Sequence, residues 1–223
     1  LFAQDEIQVA EHPVLASLRH GLLDVGINPL TVENGVPTPV LAMGVERRCR
    51  VSTDMNPDEG RPYGLYGNMF ARASADAIHR ATEVIDPPTI SNIIAMDAPP
   101  YGTGRYTHEQ LTYVLTTAIT GFSAARLESL EKIPGVQTSI HTGFWGCGAY
   151  GGNRILMALL QMIAACGAEI DSLVFHSGPD STEYHEASRL LDGLLPQDQE
   201  SNLERLVSQI ETFDFHWGTS DGT

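Results

Sequence analysis

Residues 136–167 constrain this chain more than any other stretch. A short alternating run (Val136, Ser139, Ile140) leads into glycines at 143, 146, 148, 151 and 152, and an uninterrupted amphipathic pattern follows from Arg154 to Cys166. Alternation, a glycine cluster and a 3.6-residue period, in that order, predict strand, turn and helix. Such a unit aims several backbone N–H groups and the positive end of a helix dipole into one space, a ready site for a phosphate or diphosphate. With the strand expected over 172–177 it predicts one parallel, right-handed βαβ unit.

Glycine is entropically costly, and a bland turn needs one or two. Five within ten residues therefore favour a ligand brought close to bare backbone, although tight strand–helix packing alone stays open as a reading. Gly146-Cys147-Gly148-Ala149-Tyr150-Gly151 also satisfies G-x-G-x-x-G, which raises a dinucleotide-binding unit. That reading requires an acid at the far end of the next strand. Glu169 and Asp171 precede that strand, and its far end, His176-Ser177-Gly178, contains no acid. A Walker loop fails because no Lys-Ser/Thr follows the glycines.

The formal charge of −15, from 13 basic against 28 acidic residues, argues against non-specific nucleic-acid binding, so no direct DNA binding is expected. It leaves room for an anionic small ligand held by backbone donors. Cys49, Cys147 and Cys166 sit at no zinc-like spacing and are expected to be reduced thiols, and the eight His residues form no metal pattern. No run approaches the 18 apolar residues of a membrane span, so no membrane association and an intracellular location, cytoplasmic or nuclear, are expected.

Elsewhere the pattern predicts a helix over 9–24 with Pro13 in its first turn, and a strand, a turn at Gly44 and a polar strand over 38–51. A long loop over 52–69 follows, then a weakly helical 70–83 and a buried strand over 90–97. The longest helix is expected over 107–131, with Thr107 and Gln110 as its capping box, and Gly121 inside it permits close packing. Two closing helices are expected over 180–193 and 199–211, followed by a polar tail, with Trp217, that frays. A single domain over 1–223, a central sheet covered by helices, accommodates these elements.

Gln4-Asp5-Glu6 begins the chain ahead of the first long helical pattern. Two adjacent acids there read plainly as solvated charges complementing a helix dipole. The functional reading is a general acid: one carboxyl donates a proton to a leaving sugar oxygen while its neighbour positions the substrate.

Taken together these segments resemble the poly(ADP-ribose) glycohydrolase family, whose catalytic domain has the macrodomain fold. Thr142–Asn153, TGFWGCGAYGGN, is similar to the family's diphosphate loop, commonly TGNWGCGAFGGD. Ile94-Ala95-Met96-Asp97-Ala98 resembles its AIDA strand, Tyr63-Gly64-Leu65-Tyr66-Gly67 its YTGYA segment, and Gln4-Asp5-Glu6-Ile7 its QEEI catalytic element. The resemblance implies an α/β fold, a macrodomain-like mixed central sheet sandwiched between helices. It implies hydrolysis of the ribose–ribose O-glycosidic bonds of poly(ADP-ribose), with polymer, ADP-ribose and ADP-ribosylated proteins as partners. A non-catalytic ADP-ribose-binding macrodomain is the alternative. No cofactor or metal is implied.

By the same resemblance Glu6 falls on the catalytic glutamate and Asp5 on the neighbouring acid that holds substrate hydroxyls, with Gln4 beside them. Tyr66 matches a tyrosine that packs over the ligand. Gly146, Cys147, Gly148, Ala149, Tyr150 and Gly151 match the diphosphate loop, Tyr150 at a phenylalanine that positions the distal ribose. The chain departs from the pattern at Asp5 for Glu, Phe144 for Asn, Asn153 for Asp, and Ser177 for an adenine-stacking aromatic. The family's glycine triplet lies just upstream of its QEE, so an upstream strand and glycine-rich segment are expected to precede Leu1.

Overall fold

The computed structural model describes residues 2–99, 101–194 and 202–221. In chain order the elements are α1 (Gln4–Glu11), α2 (Val14–Asp24), β1 (Val32–Glu33), β2 (Val36–Pro37), β3 (Val40–Val51), α3 (Ala75–Ala81) and β4 (Thr82–Ala95). They continue with α4 (His108–Lys132), β5 (Ser139–Thr142), α5 (Arg154–Gly167), β6 (Ser172–Phe175), α6 (Thr182–Leu194) and α7 (Leu203–Glu211). The strands pair as three two-stranded ladders, β1 with β2, β3 with β4 and β5 with β6. Two compact units emerge: the described residues of Leu1–Pro29 with Leu41–Ile93, and those of Leu30–Val40 with Ile94–Asp221.

In the first unit the expected 9–24 helix is two helices. Pro13 cannot donate a hydrogen bond, and its ring drives the preceding residue out of the helical region. His12 accordingly sits at φ −124°, ψ 71° and closes α1, while Pro13 caps α2. The expected break at Gly44 is absent; β3 runs through it, with Gly44 at φ +69° and its N–H donating to Asn92 Oδ1 at 2.9 Å. The strand expected to be buried over 90–97 is longer and more exposed. β4 starts at Thr82, and Ile90 keeps 66% of its surface. Glu11 is buried, yet its carboxylate accepts from the Val51 N–H at 2.8 Å and pairs with Arg47 at 2.7 Å, so its charge is compensated.

The second unit is built on α5, whose residues Leu156–Ala165 are all buried. A helix apolar on every side belongs in a core, and each fully buried leucine contributes about 1.5–3 kcal/mol relative to exposure. α5 packs against α4 and α6. The capping box of α4 forms as expected: Thr107 Oγ1 accepts from the Gln110 N–H, and Gln110 Oε1 from the Thr107 N–H. Gly121 lies against the end of β4, where a Cβ would come within 2.8 Å of Met96 Sδ. β5 and β6 run parallel with Ile140 opposite Leu173 and Thr142 opposite Phe175, as the βαβ reading requires. The closing helices start slightly later than expected, at Thr182 and Leu203, and residues 199–201 of the second lie outside the described residues.

Candidate functional site

The turn between β5 and α5 is held by its own backbone. Gly146 and Gly151 adopt left-handed φ values of +73° and +66°. Main-chain bonds run from Trp145 to Gly143, from Cys147 to Phe144, from Gly151 to Gly148 and from Gly152 to Gly146. A Cβ on Gly152 would lie 2.7 Å from the Gly146 oxygen, and one on Gly151 would lie 2.9 Å from the Ser220 nitrogen. Close packing therefore accounts for the last two glycines, which the glycine count alone assigns to a ligand. The N–H groups of Gly146, Gly148 and Ala149 donate none of the hydrogen bonds found among the described residues. Donors left over at a glycine-rich turn form an anion-binding nest.

Two side chains that the sequence pattern does not single out shape the turn. Gln161 is fully buried. Its Oε1 accepts from the Thr142 hydroxyl, and its Nε2 donates to the carbonyls of Gly143 and Met157, each at 3.0 Å. It therefore joins the strand end, the turn and the helix. Tyr106, also buried, accepts the Asn153 N–H at 3.0 Å; burial pushes its hydroxyl pKa up to about 12. Asn153 caps α5, its Oδ1 taking the Leu156 N–H at 3.0 Å. Asn and Asp cap about equally well, so Asn153 fills the cap position as an Asp would.

Phe144, where the resembled family has Asn, packs edge-on to Phe175 at 5.0 Å and lies under the Arg154 guanidinium at 3.9 Å. The lost polar contact is thus replaced by an aromatic and cation–π one. Tyr150 is exposed and meets the ring of Tyr101 edge-on. Burial, against an opposing Arg154, lifts the Cys147 thiol to about 12. Asp171 accepts the Thr138 N–H at 2.7 Å, and Glu169 pairs with Arg126 at 3.0 Å. The two acids weighed for a dinucleotide ribose are therefore engaged in structural contacts.

The tail does not fray as expected. Trp217 stacks on Tyr106 with ring centroids 4.3 Å apart and planes 11° from parallel. Its anchor lies too far away in sequence for local pattern to reveal.

In the first unit, Gln4, Asp5 and Glu6 form the first turn of α1 rather than its approach. All three are exposed. Glu6 Oε2 accepts the Ala3 N–H at 2.8 Å, so the structure gives this carboxylate a capping contact. Local desolvation, and secondarily the charge of Glu6, raises the pKa of Asp5 above the usual carboxylate range. The chain just before α1 is stitched to the segment containing Tyr66. Phe2 and Gly67 exchange backbone hydrogen bonds of 3.2 and 2.8 Å, and the Phe2 ring stacks on Phe70 at 4.3 Å. Gly64 is required there, since a Cβ would sit 2.6 Å from the Thr53 oxygen. The unit thus brings the Tyr66 segment to the entrance of the helix bearing Asp5 and Glu6, although they lie far apart in the chain.

A strand, a glycine-rich turn and a buried helix define an α/β unit whose turn keeps the N–H groups of Gly146, Gly148 and Ala149 unengaged among the described residues. The family model described as poly(ADP-ribose) glycohydrolase (PARG), macro domain fold, matches residues 60–184, more than half of the chain. The chain belongs to this family and to its α/β macrodomain fold class. It is similar to poly(ADP-ribose) glycohydrolase 2 of Caenorhabditis elegans, at 42% identity over 71 residues, which cover 32% of this chain and 13% of that protein. The chain therefore matches only a small part of that relative's length. Tyr66 and the glycine-rich turn fall inside the family match; Gln4, Asp5, Glu6 and Trp217 fall outside it.

Proposed function

We propose that the chain hydrolyses the ribose–ribose O-glycosidic bonds of poly(ADP-ribose) and releases ADP-ribose. The observation that carries the reading is the set of N–H groups of Gly146, Gly148 and Ala149, unengaged among the described residues, in a chain of the poly(ADP-ribose) glycohydrolase family. Those donors suit the diphosphate of an ADP-ribose unit. Cys147, Tyr150 and Gly151 complete the turn, Tyr150 offering a flat exposed surface to a ribose.

In this reading Glu6 is the proton donor. It protonates the ribose oxygen as the glycosidic bond breaks, and water adds to the oxocarbenium-like carbon. Such a donor supplies roughly 10²–10⁴-fold in rate. Asp5 and Gln4 hold the neighbouring hydroxyls. Tyr66 supplies packing over the ligand. ADP-ribosylated proteins would be the natural carriers of the polymer.

Glu6→Gln in the full-length protein tests the assignment. Product release from poly(ADP-ribose) should fall by at least about 10²-fold, with ADP-ribose binding by calorimetry retained. Unchanged turnover would remove Glu6 from the mechanism. Tight ADP-ribose binding with no polymer breakdown by the unsubstituted protein would instead identify a binding macrodomain.

A further inference from the structure

Residues 212–221 follow α7 and run back along the glycine-rich turn as a strap. The Phe215 carbonyl accepts from the Tyr106 N–H at 3.0 Å, His216 bridges Arg105, and the Trp217 N–H donates to Gly104 at 2.8 Å. The strap then reaches the turn itself. The Gly218 N–H donates to the Gly151 carbonyl at 2.8 Å and the Asp221 N–H to the Gly148 carbonyl at 3.3 Å. Asn153 Nδ2 donates to the His216 carbonyl at 3.0 Å.

Both strap-to-turn main-chain bonds land on carbonyls, and this sets the direction of the donors. In a trans peptide the C=O and the following N–H point opposite ways. Holding the Gly148 carbonyl towards Asp221 therefore turns the Ala149 N–H away from the strap. Holding the Gly151 carbonyl towards Gly218 likewise turns the Gly152 N–H inward, where it meets the Gly146 oxygen at 2.9 Å. The strap's main-chain bonds thus hold the carbonyl side of the turn and direct the Ala149 N–H away from the strap, with the Asp221 carboxylate beside Gly148, its Oδ2 3.1 Å from where a Cβ would stand.

Trp217 is the fastener of this strap. One face of its indole lies on Tyr106, whose hydroxyl takes the Asn153 N–H at the exit of the turn. The indole also lies against Gly102, where a Cβ would fall 1.9 Å from the ring. Its Nε1 donates to Gln110 Oε1 at 3.3 Å. We propose that Trp217 is a positioning residue for diphosphate binding: through Tyr106 and the strap it orients the amides of the turn without touching the ligand. The proposal rests on the reading of that turn as a diphosphate site.

The test compares the full-length protein with its Trp217→Ala and Trp217→Phe variants, by amide hydrogen exchange without ligand and by calorimetry with ADP-ribose. Trp217→Ala should speed exchange across 143–152 while the amides of α4 and α5 keep their protection, and should weaken ADP-ribose binding about tenfold. Trp217→Phe keeps the stack on Tyr106 and should restore both. Unchanged exchange in the turn, unchanged affinity in Trp217→Ala, or a loss spread equally through α4 and α5 overturns the positioning role. If the unsubstituted chain binds no ADP-ribose, the diphosphate reading fails and the proposal with it. If it binds, but Trp217→Ala binds equally well, only the proposal fails.

Discussion

Gln161→Leu is the sharpest probe of how the turn is held. Gln161 is fully buried, and its amide serves three partners. The Met157 carbonyl keeps its helical main-chain partner after the change. The Gly143 carbonyl keeps the Trp145 N–H at 2.8 Å and loses only its second donor, a hydrogen bond worth about 0.5–1.5 kcal/mol net. The Thr142 hydroxyl is left without its acceptor. An unpaired polar group costs about 1–3 kcal/mol, and because Thr142 is only half-buried and its hydroxyl can rotate towards water, its share lies at the low end. Leucine returns about 1 kcal/mol of apolar transfer. The net expectation is a loss of about 1–2 kcal/mol. Urea unfolding followed by tryptophan fluorescence reads this directly, because Trp145 and Trp217 are the chain's two tryptophans and both lie in the second unit. Adding Thr142→Val removes one orphaned group and should recover about 1 kcal/mol. A loss under about 0.5 kcal/mol, the range of ordinary surface changes, with no coupling to Thr142, would refute the reasoning.

Gly151→Ala places a Cβ 2.9 Å from the Ser220 nitrogen at a φ of +66°; the strain should cost about 1–3 kcal/mol and loosen the strap, seen as a lower urea midpoint. His108 at the start of α4 faces Glu211 at 2.9 Å and Glu204 at 3.2 Å on α7. Its pKa is raised above the ordinary imidazole value, chiefly by the hydrogen bond to Glu211. A raised folded pKa means that the contribution is complete below the unfolded value near 6.5 and is lost as pH rises through the folded one. Hydrogen-exchange protection of α7 should therefore fall as pH rises above about 6.5, and His108→Gln should flatten that slope.

Local pattern carries much of the architecture. The capping box at Thr107 and Gln110, the helical period of α5 and the glycine cluster are each written within a few residues, so they are legible in the amino-acid order alone; the burial of α5 on every side is not, since its pattern reads as amphipathic. Pro13 is legible as a helix-start residue, but the continuous apolar periodicity across 9–24 hides its cost to His12, and so the separation of α1 from α2. The buried reading of 90–97 fails for a different reason: an apolar run records a preference for cover, and whether cover arrives depends on other parts of the chain.

The sequence by itself determined the strand–turn–helix unit at 139–167 and the order of motifs that marks the family, because those depend on neighbours in the chain. Only the tertiary structure decided which glycines the packing requires and which amides are left over as donors. It alone showed Gln161 and Trp217 as the supports of the turn. Their partners lie 18 residues away in one case and up to 115 in the other, as Gly143 for Gln161 and Gly102 for Trp217 show. Contacts across such separations arise from the folded path of the backbone, and no periodicity in the sequence encodes them.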